Sequence, residues 1–484
     1  MIKDQLWELI HHLNPTEKAY FKKNSKLHSV GSNFIYLKLF DEINSLFIYD
    51  EKKFGLILKK YNQSSRLKNY LYELILNSLE SYSTTNDITL QTKKLINYAK
   101  ILLQKGAKEK SKQFIDRAMK IAIENFDYQS QIEILTFKRK IYRVELNLEK
   151  VRELINQELL IFDILKEIYE FEALALILSE FSFKSGNILN KNQLNELKEF
   201  TSNKLLADAS SCKSAVATAH FYAIWSIYYI IIKDPEKSYK YSLLRLKFGE
   251  KTNYFKVDIQ SNINVLNNLI ELSIILNKYD DVAKLMQKLK EIKVTTGFLK
   301  SRKLIRHTIQ NLHFLLASKN PFDLKELSAI SKLCLESNSN LIRIDERIEI
   351  IFSMTTLCFN NNLYKEAKRW LMLFFEEPVS NFRIELQCYL HIINLYLHNL
   401  TMDLEYVSHL LKKTYKFLKE KEIVGGQEVV LSDFIKLQLS QKFSKNDLQR
   451  EMLLFKNKIE THNKKTNNNS LGKYIIYPIV KHEQ

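Results

Sequence analysis

A short turn followed by the start of an amphipathic helix recurs about every 43 residues, from Gly106 almost to the end of the chain. The turns begin at Gly106, Asn147, Asn190, Asp234, Asn277, Asn320, Asn362, Thr401 and Ser444. A fixed period in this range is typical of helical hairpins that stack one on the next. The period therefore predicts an all-α fold, an α-solenoid, and indicates a surface for binding rather than a particular reaction.

The scarcity of glycine and proline supports long helices. The chain of 484 residues contains 9 glycines and 5 prolines, where average usage would give roughly 12% for the two together. Strand-rich folds need frequent turns, and turns depend on these two residues. We therefore expect helices of about 18 residues joined by short links, two helices and two links to each period.

The period divides the chain into three predicted parts. Residues 1–84 lie before it and should form an N-terminal helical block, in which Asn14 and Pro15 start a helix as cap and first residue. Residues 85–460 should form the solenoid, where Asp234-Pro235 and Asn320-Pro321 predict two further helix starts. Residues 461–484 comprise a polar linker and an apolar tail, Tyr474–Val480, which either covers the last hairpin or docks on a partner.

Three hairpins resemble the central part of a tetratricopeptide (TPR) repeat. In each, a turn residue is followed by a small or aliphatic residue five positions on, a large one nine on and a packing residue twelve on. The sets are Gly106, Ser111, Ile115 and Ala118; Asn277, Val282, Met286 and Leu289; and Asn362, Ala367, Leu371 and Phe374. The early Trp/Leu-Gly pair is missing and the period exceeds the usual length of about 34 residues. The resemblance is thus to TPR-like repeats with lengthened helices.

The N-terminal block is similar to the opening block of TPR-like proteins from Bacteroidota. The likeness is carried by Leu13–Lys22, Tyr36–Asp41 and Lys68–Leu74. It implies the same general architecture and no particular activity.

The TPR resemblance implies a non-enzymatic scaffold or adaptor that binds a peptide or helix of a partner protein in a concave groove. It places the groove residues on the first helix of a hairpin: Lys93, Lys100 and Gln104; Asn264, Asn267 and Glu271; Thr356 and Asn360. Lysine and asparagine at such positions hold carboxylates or peptide backbone through hydrogen bonds. The alternative is that these side chains only solvate the groove.

Net charge offers a second hypothesis. The chain carries +18, and its densest basic run contains Lys288, Lys290, Lys293, Lys300, Arg302, Lys303 and Arg306 with only Glu291 opposing them. A basic patch of this kind attracts nucleic acid, acidic proteins or anionic lipid. Interleaved aromatics such as Tyr239 and Tyr241 would suit base stacking, or else simple packing between helices. Nucleic-acid binding is therefore the alternative function.

One uncharged segment, Ala215–Ile232, reaches the lower length limit for a membrane span. It contains Thr218, His220 and Ser226 and ends just before the Asp234 turn. A helix packed on several sides by neighbouring hairpins is also apolar all round. We therefore predict a buried solenoid helix, with a membrane span as the alternative.

No pattern in the sequence predicts catalysis or a cofactor. There is no HExxH, paired CxxC, glycine-rich phosphate loop or GxSxG motif. The adjacent His11 and His12 point about 100° apart on a helix, a poor arrangement for a metal ion. Four separate cysteines and an N-terminus without an apolar stretch indicate a cytoplasmic protein with reduced thiols. An enzyme assembled from distant polar residues remains an alternative.

Overall fold

The computed structural model of the chain describes residues 4–27, 35–61, 64–184, 191–294, 296–318, 320–336, 341–377, 384–399, 409–410, 413 and 416. These residues form α-helices joined by short links, with two turns of 3-10 helix and no β-strand among them. The all-α prediction is confirmed. The turns at Asn190, Thr401 and Ser444 and the segment Tyr474–Val480 lie outside the described residues.

The helices follow one another closely along the chain. In order they are α1 (Gln5–His12), α2 (Pro15–Leu27), α3 (Ile35–Asn44), α4 (Glu51–Lys59), α5 (Ser64–Asn86), α6 (Ile88–Gln104), α7 (Lys108–Glu124), α8 (Tyr128–Val144), α9 (Leu148–Lys184), α10 (Lys191–Thr201), α11 (Ala215–Ile231), α12 (Pro235–Lys251), α13 (Tyr254–Val257), α14 (Ile259–Ile275), α15 (Tyr279–Glu291), α16 (Gly297–Ser318), α17 (Leu324–Glu336), α18 (Ile344–Asn360), α19 (Tyr364–Glu376) and α20 (Ile384–Asn399).

Contacts divide the chain into two compact units, residues 1–166 and 167–484, with the boundary inside α9. In the first unit, α1 to α5 enclose a core that includes Leu6, Ile10, Phe21 and Phe40, and α6, α7 and α8 pack on one another. In the second unit, each helix from α11 to α20 contacts its chain neighbour, and α14, α16, α18 and α20 also pack in succession. Neighbouring hairpins therefore share packing surfaces within each unit, while a solenoid spanning residues 85–460 stays a prediction.

The helix starts test the capping predictions directly. Asn14 accepts a hydrogen bond from the Glu17 amide at 2.9 Å, and the Glu17 carboxylate accepts one from the Asn14 amide at 2.8 Å, so the predicted start at Pro15 is confirmed. Asp234 caps α12 by accepting a hydrogen bond from the Lys237 amide at 3.1 Å, and Pro235 is the first residue of the helix. The start predicted at Pro321 is wrong. Helix α17 begins at Leu324 because Asp323 accepts the free amides of its first turn.

The same backbone turn ends several of these helices. One residue adopts a positive φ, as at Gly106 (79°), Leu146 (57°), Lys233 (61°), Asn277 (57°) and Asn362 (60°). The next amide then donates to the carbonyl five residues back, as from Ala107 to Leu102 at 2.9 Å. This left-handed cap satisfies carbonyls that the end of the helix leaves open. The turn explains why glycine and asparagine mark three of the predicted hairpins, and why Leu146 and Lys233 escape a search for turn residues.

The positions that carry the TPR resemblance are mostly interior. Ser111, Val282 and Ala367 are fully buried, and the Ser111 hydroxyl donates to the Ala99 carbonyl at 2.7 Å across the pair α6–α7. A small residue at this point allows two helices to approach closely. The buried positions are consistent with helical hairpins, and the family relationship itself stays a prediction.

Helix α9 departs from the predicted period. It runs without a break for 37 residues, where a period of 43 residues requires a link between the second helix of one hairpin and the first of the next. Its sequence contains neither glycine nor proline and is rich in leucine and glutamate, which favour an unbroken helix. The spacing of the turns therefore did not predict that the second helix of one hairpin and the first helix of the next would join into one helix.

The uncharged segment forms α11, which packs mainly against α12. Ala217, Ala219, Phe221 and Ile224 are buried, while Ile230 is 47% exposed. Within the described part of the chain, no helix combines the length and the apolar character that a bilayer crossing requires.

Candidate functional site

Two lysines of α6 and one glutamate of α8 form a charged trio in the first unit. Lys93 and Lys100 are seven residues apart, so they lie on one face of α6. Their Nζ atoms lie 2.6 Å from Oε2 and 2.7 Å from Oε1 of Glu133, respectively. Each lysine therefore holds a separate oxygen of the same carboxylate. The sequence pointed to both lysines and missed Glu133, since only packing brings α8 alongside α6.

The trio is open to solvent. The side chains of Lys93, Lys100 and Glu133 keep 43%, 42% and 33% of their exposure. Partial burial raises the pKa of Glu133, but its hydrogen bonds to Lys100 and Lys93 outweigh that effect and lower the pKa below its ordinary value. The carboxylate is therefore ionised at neutral pH, and the trio carries one net positive charge.

Two exposed residues extend this surface. Gln104 follows Lys100 by one turn of α6, and Lys140 follows Glu133 by two turns of α8. Lys140 forms no ion pair with any residue that the structure describes. We call the surface formed by Lys93, Lys100, Gln104, Glu133 and Lys140 the α6–α8 face. It contains three cations and one anion.

The predicted groove residues of α14 are distributed differently. Asn267 is buried and its amide donates to the Ile263 carbonyl at 2.7 Å, so it belongs to the interior instead of a groove. Asn264 is half-buried and accepts from Gln260 at 2.9 Å. Glu271 is exposed. Of these three residues, Glu271 is the one that is exposed.

The two predicted groove residues of α18 are also largely enclosed. Thr356 is fully buried, and its hydroxyl donates to the Phe352 carbonyl at 2.8 Å within the same helix. Asn360 is half-buried near the end of α18. Thr356 is therefore a core residue, and the reason is that neighbouring helices cover α18 over almost its whole surface.

The basic run does not form one patch of free charge. The Lys288 Nζ lies 3.0 Å from the Glu250 carboxylate. Lys303 donates to the carbonyls of Lys290 and Ile292 at 2.6 and 2.7 Å, so it caps the end of α15. Burial lowers the pKa of Lys303. Lys290, Lys293 and Lys300 are exposed.

The two arginines of the run are held inside the second unit. Arg302 Nη1 and Nη2 donate to the Glu346 carboxylate of α18 at 2.7 and 2.8 Å, and Arg306 Nη2 lies 3.1 Å from it. The Glu346 side chain is fully buried and Arg302 keeps only 10% exposure. Burial raises the pKa of Glu346, but Arg302, Arg306 and the Arg343 amide together lower it on balance. Arg302 is therefore a structural residue and not part of a basic surface.

The aromatic residues near the basic segments serve packing. Tyr239 donates to Asp281 at 3.0 Å, with the Lys278 amine 4.2 Å from its ring centre. Tyr241 stacks on Trp225 with ring centroids 5.7 Å apart. Tyr254 and Phe255 are each 5% exposed. The contacts of Tyr239 and Tyr241 and the burial of Tyr254 and Phe255 are those of rings that pack between helices.

A cavity of about 370 Å³ lies in the first unit, between α7, α8 and α9. Its walls are mainly apolar, and its lining comprises Met119, Ile123, Gln131, Leu135, Lys138, Tyr142, Lys150, Glu153, Leu154, Gln157, Leu160 and Ile161. The rim cations are already paired, Lys138 with Asp116 and Lys150 with Glu153. Leu135 and Glu133 point about 200° apart around α8, so the cavity opens on the other side from the α6–α8 face.

Reactive groups are sparse in the part of the chain that the structure describes. No cluster of three histidine, cysteine, aspartate or glutamate residues there is arranged to hold a metal ion. Burial raises the pKa of Cys212 to about 11 and of Cys358 to about 12, so both thiols are protonated at neutral pH. His11 stacks on Trp7 with centroids 4.0 Å apart, and its Nδ1 bonds to the Trp7 carbonyl.

Comparison with known proteins gives no relative to set beside this geometry: no protein-family model, no curated protein and no solved structure matches the chain.

Proposed function

We propose that the chain is a non-enzymatic interaction protein, a scaffold or adaptor that binds a segment of a partner protein across the α6–α8 face. The observation that carries the proposal is the convergence of Lys93 and Lys100 on one carboxylate. Two lysines seven residues apart on one helix face can bind the two oxygens of one carboxylate, whether that carboxylate belongs to this chain or to a partner. Glu133 occupies the position that a ligand carboxylate would take.

The exposure of the trio supports a role in binding. Ion pairs exposed to this degree contribute about 0–1 kcal/mol to stability. The fold therefore does not depend on Lys93 and Lys100, and their pairing with Glu133 exchanges readily with pairing to another group. A cytoplasmic location, proposed from cysteines that form no disulfide among the described residues, would give access to intracellular partners.

Nucleic-acid binding through the segment Lys288–Arg306 is the weaker proposal. Four of its seven basic residues, Lys288, Arg302, Lys303 and Arg306, are already bound to glutamates or to helix carbonyls. Phosphate contacts weaken steeply as salt rises. Titration with single-stranded RNA and duplex DNA from low to physiological salt tests it, and absence of binding at low salt removes it.

Affinity capture from the native host tests the principal proposal. The bait is the full chain, compared with the double variant Lys93→Ala, Lys100→Ala. The matched control is Lys108→Ala, Lys112→Ala, since these lysines also share one glutamate, Glu145, but lie on α7. We expect the first variant to lose a specific protein that the control retains. Equal recovery by both variants would overturn the proposal.

A further inference from the structure

The charge on the α6–α8 face is unbalanced in a way that specifies a ligand. Lys93 and Lys100 share the single carboxylate of Glu133, and Lys140 has no partner among the described residues. Complementary charge is what an interface of this type requires. A neutral or basic segment would leave the lysines uncompensated, whereas an acidic segment supplies the missing carboxylates.

The spacing on α8 restricts the ligand further. Lys140 follows Glu133 by seven residues, which is roughly 10 Å along a helix that rises 1.5 Å per residue. An extended chain in the polyproline II conformation has three residues per turn and rises about 3.1 Å per residue, so two side chains three residues apart lie on the same face and are separated by roughly 9 Å. An extended segment with the pattern Glu-Xaa-Xaa-Glu therefore places one carboxylate at the Lys93–Lys100 pair and the other at Lys140.

Glu133 stands in the way of the first of these carboxylates. It already accepts both lysines through separate oxygens, so an incoming carboxylate has to displace it or share the cations with it. Resting on the proposed function, we propose that the α6–α8 face binds an extended acidic segment of a partner protein, and that Glu133 is the internal competitor which this segment displaces.

The chain provides a matched control for this competition. Glu145 is likewise bound by two lysines, Lys108 and Lys112, but it lies at the end of α8 and its lysines belong to α7. Glu133→Gln and Glu145→Gln therefore make the same change in net charge, and each removes a carboxylate that two lysines share. They differ in whether those lysines belong to the α6–α8 face.

The test uses fluorescence anisotropy with the full chain and a labelled extended peptide containing Glu-Xaa-Xaa-Glu, with the corresponding Gln-Xaa-Xaa-Gln peptide as reference. We expect Glu133→Gln to tighten binding of the acidic peptide by roughly three- to tenfold, the range that corresponds to the loss of competing exposed ion pairs. Glu145→Gln should leave it unchanged. The Lys93→Ala, Lys100→Ala variant should abolish binding, and added salt should weaken it.

Three outcomes overturn the inference. They are equal tightening by Glu133→Gln and Glu145→Gln, no tightening by Glu133→Gln, or equal binding of the acidic and amide peptides. Affinity capture from the native host distinguishes failure of the acidic-segment inference from failure of the proposed function. If the lysine variant still loses a host protein, the face binds a partner of other chemistry. If it loses none, both proposals fall.

Discussion

Each of the two units contains a carboxylate that is bound by two basic residues from the helix two positions earlier in the chain. The two carboxylates differ in how deeply they are buried. In the first unit, Glu133 of α8 is bound by Lys93 and Lys100 of α6 and stays one-third exposed. In the second, Glu346 of α18 is bound by Arg302 and Arg306 of α16 and is fully buried. Similar charges therefore occupy similar positions between helices in two different environments.

Burial decides what such a trio can do. A buried carboxylate has lost its hydration and depends on its two guanidinium groups, whose planar forks supply several donors at once. An exposed carboxylate keeps water as an alternative partner, and a lysine is a mobile single point of charge. The Glu346 trio consequently fixes the packing of α16 on α18, while the Glu133 trio is free to exchange partners.

The largest expected effect is on the buried trio. Glu346→Gln should destabilise the α16–α18 region by about 3–5 kcal/mol, because it leaves two enclosed guanidinium groups without their counter-charge. Native-state hydrogen exchange of the α16 and α18 amides measures this locally, which matters in a chain of two units. Glu366→Gln, which removes an exposed pair with Arg369, is the control and should change the exchange very little. A small effect at Glu346 would mean that burial does not separate the two trios.

The pH dependence sharpens the same contrast. The pKa of Glu346 is lower in the folded chain than its ordinary value of 4.5. Its contribution to stability is therefore complete above about pH 4.5 and is lost as the pH falls through the folded pKa. We expect the difference in unfolding free energy between wild type and Glu346→Gln to shrink below that pH. A difference that stays constant from neutral to acid pH would contradict the assignment.

Substitutions at the positive-φ turn residues should change stability by about 1 kcal/mol in each unit, and they give a scale against which the two trios can be compared. Lys233 is exposed and holds φ at 61°, so Lys233→Gly should stabilise its turn by about 0.5–1 kcal/mol. Gly106 has φ of 79° with open space where a Cβ atom would stand, so Gly106→Ala should cost a similar amount through conformation alone. Hydrogen exchange at the two turns measures both. If both substitutions stabilised their turns, or both destabilised them, the left-handed backbone conformation would not be what sets the stability at these positions.

The smallest expected effect is at the exposed trio. Glu133→Gln should change the stability of the α6–α8 region by less than about 1 kcal/mol, since water replaces the lost carboxylate contacts. The same exchange measurement, on α6 and α8, checks this. A cost approaching that of Glu346→Gln would make Glu133 structural and would remove the argument for exchange with a ligand.

The all-α class and two of the helix starts were predictable because their signals are local. Asn14 and Glu17 cap each other within one turn, and Asp234 with Pro235 starts a helix through its own side chain and ring. Such contacts involve neighbours in the sequence, so a short pattern contains all of them. The error at Asn320 has the same origin, because Asp323, three residues on, is an equally good cap.

The candidate site was predictable only in part because its charges pair across distance. Lys93 and Lys100 were identified through the resemblance to TPR repeats, but Glu133 reaches them from a helix that begins beyond α7. Arg302 looked like surface charge, and its burial depends on Glu346, 44 positions later. A sequence shows which residues carry charge, whereas the packing of helices determines which charges remain free.

The left-handed turn has a consequence for how such a chain changes over generations. Glycine, leucine, lysine and asparagine all occupy its positive-φ position, so selection at this point acts on backbone conformation more than on residue identity. A substitution there shifts stability by about 1 kcal/mol, an amount that a change elsewhere offsets. Such a turn can therefore change its residue at a small cost in stability while its backbone conformation stays the same.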